Sequence, residues 1–297
     1  MTSHMDTPST DIRVQTVLVP LDGSELALRA MPTARVLADR FGAQLHTISV
    51  STAGDEASRL QALAAAVLGV DTGDDRARVV PGDDPAEMVA AHAEELDDCL
   101  LCMSTHGRGR LSGALLGSVA RSVLQRSRKP MVVLGPIADN PGWSPPPGNW
   151  PEPLSVPRIV ACVDGSETSE QVLPLAAAWG RALGMALSIL TVITDAPEPI
   201  RPERHRSPYG PGVDPQSYID ALVKQFQGRV DDVDGVVVRD PINPAEGIRT
   251  HLGQRPAGLV AMTTHARSGM RRALLGADAA RIVYASDVPC LVAPVEG

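Results

Sequence analysis

The chain has 297 residues, of which 43% are hydrophobic, and a formal net charge of -8. This length exceeds that of a usual single domain, so two domains of ordinary size are expected. The acidic balance and the 3% aromatic content argue against a nucleic-acid-binding protein, which normally presents a basic face and stacking aromatics. No apolar run reaches the roughly 20 residues of a membrane span, and residues 1–11 lack the apolar core of a signal peptide. We expect a cytoplasmic protein that binds a small molecule and no membrane.

The first half of the chain alternates short β-branched runs with helical patterns. Strands are predicted at residues 16–21, 44–50, 77–81, 99–104 and 130–135, and helices at 24–41, 57–69, 84–96 and 118–127. Strands that alternate with helices indicate a parallel sheet covered on both faces. Cys99 and Cys102 fall three residues apart in one predicted strand, so they point to opposite faces and cannot share a metal.

The second half repeats the first. Two pairs of segments align without gaps, namely 14–50 with 156–192 and 105–134 with 264–293. The offset is larger in the second pair, which places an insertion over residues 196–215, too rich in proline for a central strand or helix. We therefore predict an α/β protein with two tandem Rossmann-like doubly wound domains, each with a five-stranded parallel sheet and helices on both faces.

A proline-rich stretch separates the two copies and is typical of a semi-rigid linker. The predicted divisions are a first domain over residues 1–137, a linker over 138–157 and a second domain over 158–297. The last predicted strand of each half begins with proline and could therefore lie at a sheet edge. An open strand edge there would invite pairing with another sheet.

A ligand of an open parallel sheet binds beyond the carboxyl ends of the strands, where the strand order reverses. The first strand ends at Asp22, and the fourth leads into a loop that contains Gly107 and Gly117. If these strands are neighbours, both features face one site. The helix after Gly117 offers unpaired N–H groups and a partial positive charge, with Ser118 as the expected N-cap, which suits phosphate. Simple capping of its own helix is the equally weighted alternative for Ser118.

Two common phosphate motifs do not fit this sequence. A Walker loop requires a lysine before Ser118, where Gly117 stands instead. A dinucleotide fingerprint would follow the first strand, where the sequence "DGSELA" has a single glycine. The glycines after the fourth strand therefore belong to another kind of nucleotide loop.

The segments "VPLDGS" (19–24) and "STHGRGRLSGALLGSV" (104–119) resemble the universal stress protein family, here as a tandem of two such domains. In ATP-binding members the motif is Gly, two residues, Gly, nine residues, Gly and then Ser or Thr. In this sequence Ser104 replaces the first glycine, and Gly107, Gly117 and Ser118 fall on the remaining positions. The resemblance covers both halves and leaves out only the start, the linker and the insertion.

The resemblance implies an adenine nucleotide (ATP, or AMP or ADP), with its base near Pro20, Asp22 and Val50. The full set of implied binding residues is Pro20, Leu21, Asp22, Val50, Met103, Ser104, Gly107, Arg108, Gly117, Ser118 and Val119. Asp22 could contact the ribose or a nucleotide-bound Mg²⁺, or could cap its own turn. Arg108 could contact phosphate or be solvated, and for His106 and His265 a structural hydrogen bond is favoured over catalysis.

The second copy departs further from the motif. Thr263 holds the first glycine position, Ala266 replaces Gly107, and Ala277 replaces Ser118. We predict weaker nucleotide binding there, or none. The residues of this weaker second site are Val163, Asp164, Val192, Met262, Thr263 and Gly276.

These features favour a regulatory ATP-binding protein that responds to stress and binds nucleotide mainly in the first domain. A slow ATP hydrolase is an alternative, but His106 and Asp22 are the only candidate bases, so a non-enzyme is favoured. An interaction module that binds no nucleotide is the other alternative. The resemblance further implies that the halves pair within the chain as a pseudo-dimer, with a homodimer of chains as a further step.

Overall fold

A computed structural model of the protein describes residues 13–105, 117–138, 157–194, 214–241, 243–255, 257–263, 265–266, 273–274 and 277–295. The elements of the first half are β1 (Thr16–Pro20), α1 (Glu25–Leu28), α2 (Ala30–Phe41), β2 (Gln44–Val50), α3 (Gly54–Leu68), β3 (Ala77–Val80), α4 (Pro85–Glu95), β4 (Cys99–Ser104), α5 (Ser118–Arg126) and β5 (Met131–Leu134). Those of the second half are β6 (Arg158–Cys162), α6 (Glu167–Glu170), α7 (Val172–Leu183), β7 (Ala186–Thr194), α8 (Pro215–Phe226), β8 (Val233–Asp240), α9 (Pro244–Gln254), β9 (Ala257–Thr263), β10 (His265–Ala266), β11 (Ala273–Leu274), α10 (Ala277–Ala285) and β12 (Cys290–Ala293).

The two halves build one ten-stranded sheet in the order β3-β2-β1-β4-β5-β12-β9-β6-β7-β8. Within each half the strands of this large sheet are parallel, which confirms the predicted doubly wound architecture. The halves meet at β5 and β12, which pair antiparallel with Leu291 opposite Val132. The edge strand of each half is therefore covered by its counterpart in the other half.

The predicted helix over residues 24–41 is two helices, and this part of the prediction was wrong. Arg29 separates α1 from α2, and Pro32 lies in the first turn of α2. Proline has no N–H and its ring collides with the carbonyl four residues earlier, so α2 cannot continue the ladder of α1. The second half repeats the break at Gln171, with Pro174 at the equivalent place.

Buried apolar side chains form two main clusters, one on each face of the sheet. Alternation along β1 divides Val17 and Val19 from Leu18, which belongs to the opposite cluster. The first cluster packs under α2 and α7, and the second under α4, α5, α9 and α10. Both clusters cross the boundary between the halves. Phe41 and Trp179, one from each half, also pack against each other with ring centroids 5.0 Å apart.

The junction between the halves is tight at Gly135, the residue after β5. A Cβ on Gly135 would overlap the backbone carbonyl oxygen of Val283 in α10 and would lie 3.5 Å from that of Ser286. Nearby, the Arg29 guanidinium donates to the Pro136 carbonyl at 2.8 Å and to the Ala138 carbonyl at 2.7 Å. These contacts fix the chain as it leaves the first half.

Candidate functional site

The reversal of strand order in the first half lies between β1 and β4. From β1 the chain builds outwards through β2 and β3 on one side, and later through β4 and β5 on the other. The prediction that β1 and β4 are adjacent strands is therefore confirmed. The parallel strands end at a common edge, and ligands of doubly wound sheets bind in the crevice at such a point, here beyond Pro20 and Ser104.

The turn after β1 is held by its own side chains. The Asp22 Oδ1 accepts a hydrogen bond from the Ser24 N–H at 2.9 Å, and the Ser24 Oγ accepts one from the Ala27 N–H at 3.1 Å. Gly23 adopts φ 77°, a left-handed conformation that favours glycine. The turn-capping role of Asp22 is thus confirmed, and its contact with ribose or Mg²⁺ stays a prediction.

The helix after the glycine loop begins at Ser118, but its N-cap lies one residue earlier than predicted. Gly117 is the N-cap of α5, with φ -60° and ψ 151°, and Ser118 is its first residue. N-cap preferences favour serine over glycine, so the sequence alone predicts the wrong residue. The Gly117 N–H donates to the Thr105 carbonyl at 2.6 Å, and the Thr105 N–H donates to the Leu134 carbonyl at 2.9 Å. The start of α5 is therefore tied to the end of β4, beside the crevice.

The helices that begin at this edge differ in what caps their first N–H groups and balances their partial positive charge. Ser24 caps α1, and Asp84 caps α4 by accepting from the Ala86 and Glu87 N–H groups. The first turn of α3 carries Asp55 and Glu56. By contrast, α5 has neither a side-chain cap nor an acidic residue in its first turn. Its partial positive charge is therefore the one available to an external anion among these four helices.

Asp84 is also paired with Arg126, whose Nη1 lies 2.7 Å from the Asp84 Oδ2. Hydrogen bonds from Arg126 and from the Glu87 N–H lower the pKa of Asp84 below its usual value. The carboxylate therefore stays ionised at the start of α4. It fastens this helix to α5.

The predicted lining residues divide between the two faces of the sheet. Val50 and Met103 pack with the cluster under α4 and α5, and Val50 remains half-buried. The Leu21 side chain is 4% exposed and lies in the opposite cluster, so it does not share a face with Val50 and Met103. Pro20, Asp22 and Ser104 are half-buried, and Ser118 and Val119 are exposed. Gly107, Arg108 and His106 lie outside the described residues, as does Gly276 in the second half.

The second half forms the same turn. The Asp164 Oδ1 accepts from the Ser166 N–H at 3.0 Å and from the Ser166 Oγ at 2.6 Å, and Gly165 has φ 79°. Val163, Met262 and Thr263 are buried at the ends of β6 and β9, and Val192 is half-buried. Ala266, which replaces Gly107, lies in the antiparallel ribbon of β10 and β11. The replaced glycine position is therefore extended in this half.

The cysteines give no support for a metal site. Cys99 packs in the cluster under α4, whereas Cys102 packs in the cluster on the opposite face, as strand alternation predicts. Burial raises the pKa of the Cys99 thiol to about 12 and raises that of Cys102 still further. Across the described part of the chain, no three His, Cys, Asp or Glu side chains are grouped so as to hold a metal ion. The helices described there include none that is both long and apolar enough to cross a membrane.

Fold and crevices together define a tandem α/β protein with a Rossmann-like switch point in each half. The model of the universal stress protein family matches residues 13–135 and again residues 156–294. The chain belongs to the universal stress protein family.

Solved structures agree with this assignment at the level of the fold. A universal stress protein from Archaeoglobus fulgidus DSM 4304 is 16% identical with a TM-score of 0.68, and the match covers 94% of this chain and 98% of that one. A functionally unknown protein from Pseudomonas aeruginosa PAO1 is 15% identical with a TM-score of 0.55, covering 95% of this chain and 93% of that one. Both proteins therefore share the fold over nearly the whole chain at low sequence identity. A search of curated proteins found no significant match.

Proposed function

We propose that the protein is a regulatory nucleotide-binding member of its family and that ATP binds mainly in the crevice of the first half. The observation that carries the proposal is the start of α5. It lies at the switch point, tied to β4 through Thr105, and it has neither a side-chain cap nor an acidic first turn. A phosphate group would supply the acceptor and the negative charge that this helix start lacks.

The fit can be divided among the parts of a nucleotide. The Gly117 N–H already donates to Thr105, so the phosphate donors are assigned to the N–H groups that follow it and to the Ser118 hydroxyl. The apolar Val50 and Met103 side chains suit the base. Asp22 is proposed to contact the ribose or a bound Mg²⁺, an ion that would neutralise phosphate charge. Gly107 and Arg108 are carried over from the family motif.

Several wider properties belong to the same proposal and rest on the sequence and on the family. These are a role in the response to stress, a cytoplasmic location, the absence of an enzymatic activity and the assembly of two chains into a homodimer. AMP or ADP could occupy the same crevice, because the base and the first phosphate are shared.

Calorimetric titration with ATP and Mg²⁺ tests the site. Ser118→Ala removes one hydroxyl donor to phosphate and is expected to weaken binding about tenfold. Gly117→Val should abolish measurable binding. Its φ of -60° is open to any residue, so the added side chain acts by occupying ligand space and not by straining the backbone.

Gly54→Val is the matched control, because Gly54 begins α3 at the same edge and a Cβ there meets no atom within 4 Å. This variant should bind ATP as the wild type does. Unchanged affinity in both Ser118→Ala and Gly117→Val would remove the assigned site. Mass spectrometry of gently purified protein adds a direct readout, since a co-purified adenine nucleotide would exclude a module that binds none.

A further inference from the structure

The helix that covers the second strand of each half differs at one position. Asp84-Pro85 begins α4 and Asn243-Pro244 begins α9, so the two helices align residue by residue. Met88 in α4 therefore corresponds to Gly247 in α9. Met88 lies near Val50, the last residue of β2, and Gly247 lies against Val192, the equivalent residue within β7.

In the first half, the methionine side chain fills the space between the helix and the strand ends. A Cβ on Gly82 would lie 2.7 Å from the Met88 Cγ, 3.1 Å from its Sδ and 3.4 Å from the Val50 Cγ1. The Met88 side chain and Val50 therefore border the same small volume above Gly82. Met88 is only half-buried, so this wall of the crevice is also reached by solvent.

In the second half, the helix backbone itself occupies this position. A Cβ on Gly247 would lie 2.7 Å from the Val192 Cγ1, 3.1 Å from the Asp240 Cβ and 3.3 Å from the Val238 Cγ1. No side chain larger than hydrogen fits between α9 and these residues. Gly247 is buried, whereas Met88 is not.

The difference between Met88 and Gly247 changes which groups can contact Val50 and Val192. A methionine side chain is unbranched and polarisable, so it can change rotamer and then contact an aromatic ring through its sulfur. A helix backbone packed directly on a strand cannot yield in this way, because packed elements do not deform continuously. The first half therefore has a deformable wall over Val50, and the second half has a rigid one over Val192.

We propose that Met88 contacts the base of the bound nucleotide and that Gly247 closes the equivalent position in the second half. This inference rests on the proposed function, because it takes the crevice beside Val50 as the base site. It adds a binding residue that lies outside the family motif. It also gives the weaker binding predicted for the second half a cause at the base, in addition to the cause at the phosphates.

Titration with adenosine isolates the base side, since adenosine carries no phosphate. Met88→Ala is expected to weaken both adenosine and ATP binding by about tenfold, whereas Met88→Leu, which conserves volume, should stay within about threefold. Glu87→Ala, on the exposed side of the same helix turn, is the control and should bind as the wild type does. Ser118→Ala should weaken ATP binding and leave adenosine binding unchanged.

A spectroscopic signature separates contact from a merely structural role. With ¹³C-methyl-labelled methionine, the signal missing from Met88→Leu identifies Met88, and it should shift on addition of adenosine because of the ring current of the base. A Met88 signal that does not move, or adenosine and ATP affinities unchanged in a folded Met88→Ala, would overturn this proposal while the proposed function stands. A wild type that binds neither ligand would overturn the proposed function itself. If Met88→Ala does not fold, the methyl signal of the wild type still decides between contact and its absence.

Discussion

In the first half, β2 and β3 end together at the paired residues Val50 and Val80, whereas in the second half β7 and β8 run two pairs further. That extension ends at Thr194 opposite Asp240, and α9 then packs Gly247 against its base. The same fold thus ends in two ways at the edge where ligands bind. The first half places the half-buried Met88 side chain near Val50, and the second half builds strand and helix over the equivalent place.

The comparison shows that the two halves differ in strand length and helix packing as well as in the loop motif. Loss of the Gly107 and Ser118 equivalents would account for the weaker phosphate binding that we propose for the second half. The longer β7–β8 ladder and the close approach of α9 lie away from that loop, and we propose that they close the base side of the second half. A second half without nucleotide remains useful to the fold, because β12 covers the edge of β5.

The strongest test of the comparison is the junction on which both halves depend. Gly135 follows β5, whereas Pro294 follows β12, so the junction is not symmetric here. Gly135→Val should lower the free energy of unfolding by about 3 kcal/mol, because its Cβ would overlap the Val283 backbone carbonyl, which cannot rotate away. Urea denaturation followed by tryptophan fluorescence measures this, since Trp179 packs on Phe41 across the halves. Stability equal to that of Gly54→Val would mean that the halves are not tightly docked at this point.

A smaller effect sharpens the contrast between the two covering helices. Gly253→Ala, where a Cβ meets no atom within 4 Å, should stabilise the protein by about 0.5 kcal/mol through the ordinary helix preference for alanine. Gly247→Ala in the same helix should instead destabilise it by about 1–2 kcal/mol, because Val192 must move. Thermal denaturation of the two variants compares them directly. A gain in both would show that α9 stands away from β7, and the closure of the second half would fail.

Much of the fold could be predicted because its signals are local and repeated. Alternating β-branched runs and helical patterns indicated parallel strands with covering helices, and the internal repeat indicated two copies. The proline at the start of β5 indicated an edge, but not that its partner would be β12. The break at Arg29 had a visible cause in Pro32, and the sequence interpretation passed over it because the apolar period continues across the proline.

The site could be predicted only in part. The Asp22 turn and the position of β1 beside β4 follow from the sequence and the topology. That Gly117, and not Ser118, is the N-cap of α5 depends on backbone angles. Leu21 shows why strand parity matters, since its side chain faces the opposite cluster from Val50. Met88 and Gly247 carried no signal in the sequence, because a glycine in a helix indicates only a weak helix former until its distance from Val192 is known.

The central claim is that the first half of this chain binds nucleotide and that the second half binds it more weakly or not at all. Native mass spectrometry of the full chain with excess ATP and Mg²⁺ counts bound nucleotides directly. The account predicts one ATP per chain in the wild type and none in Gly117→Val. Two ATP molecules per chain that bind with equal affinity, or one that persists in Gly117→Val, would contradict it.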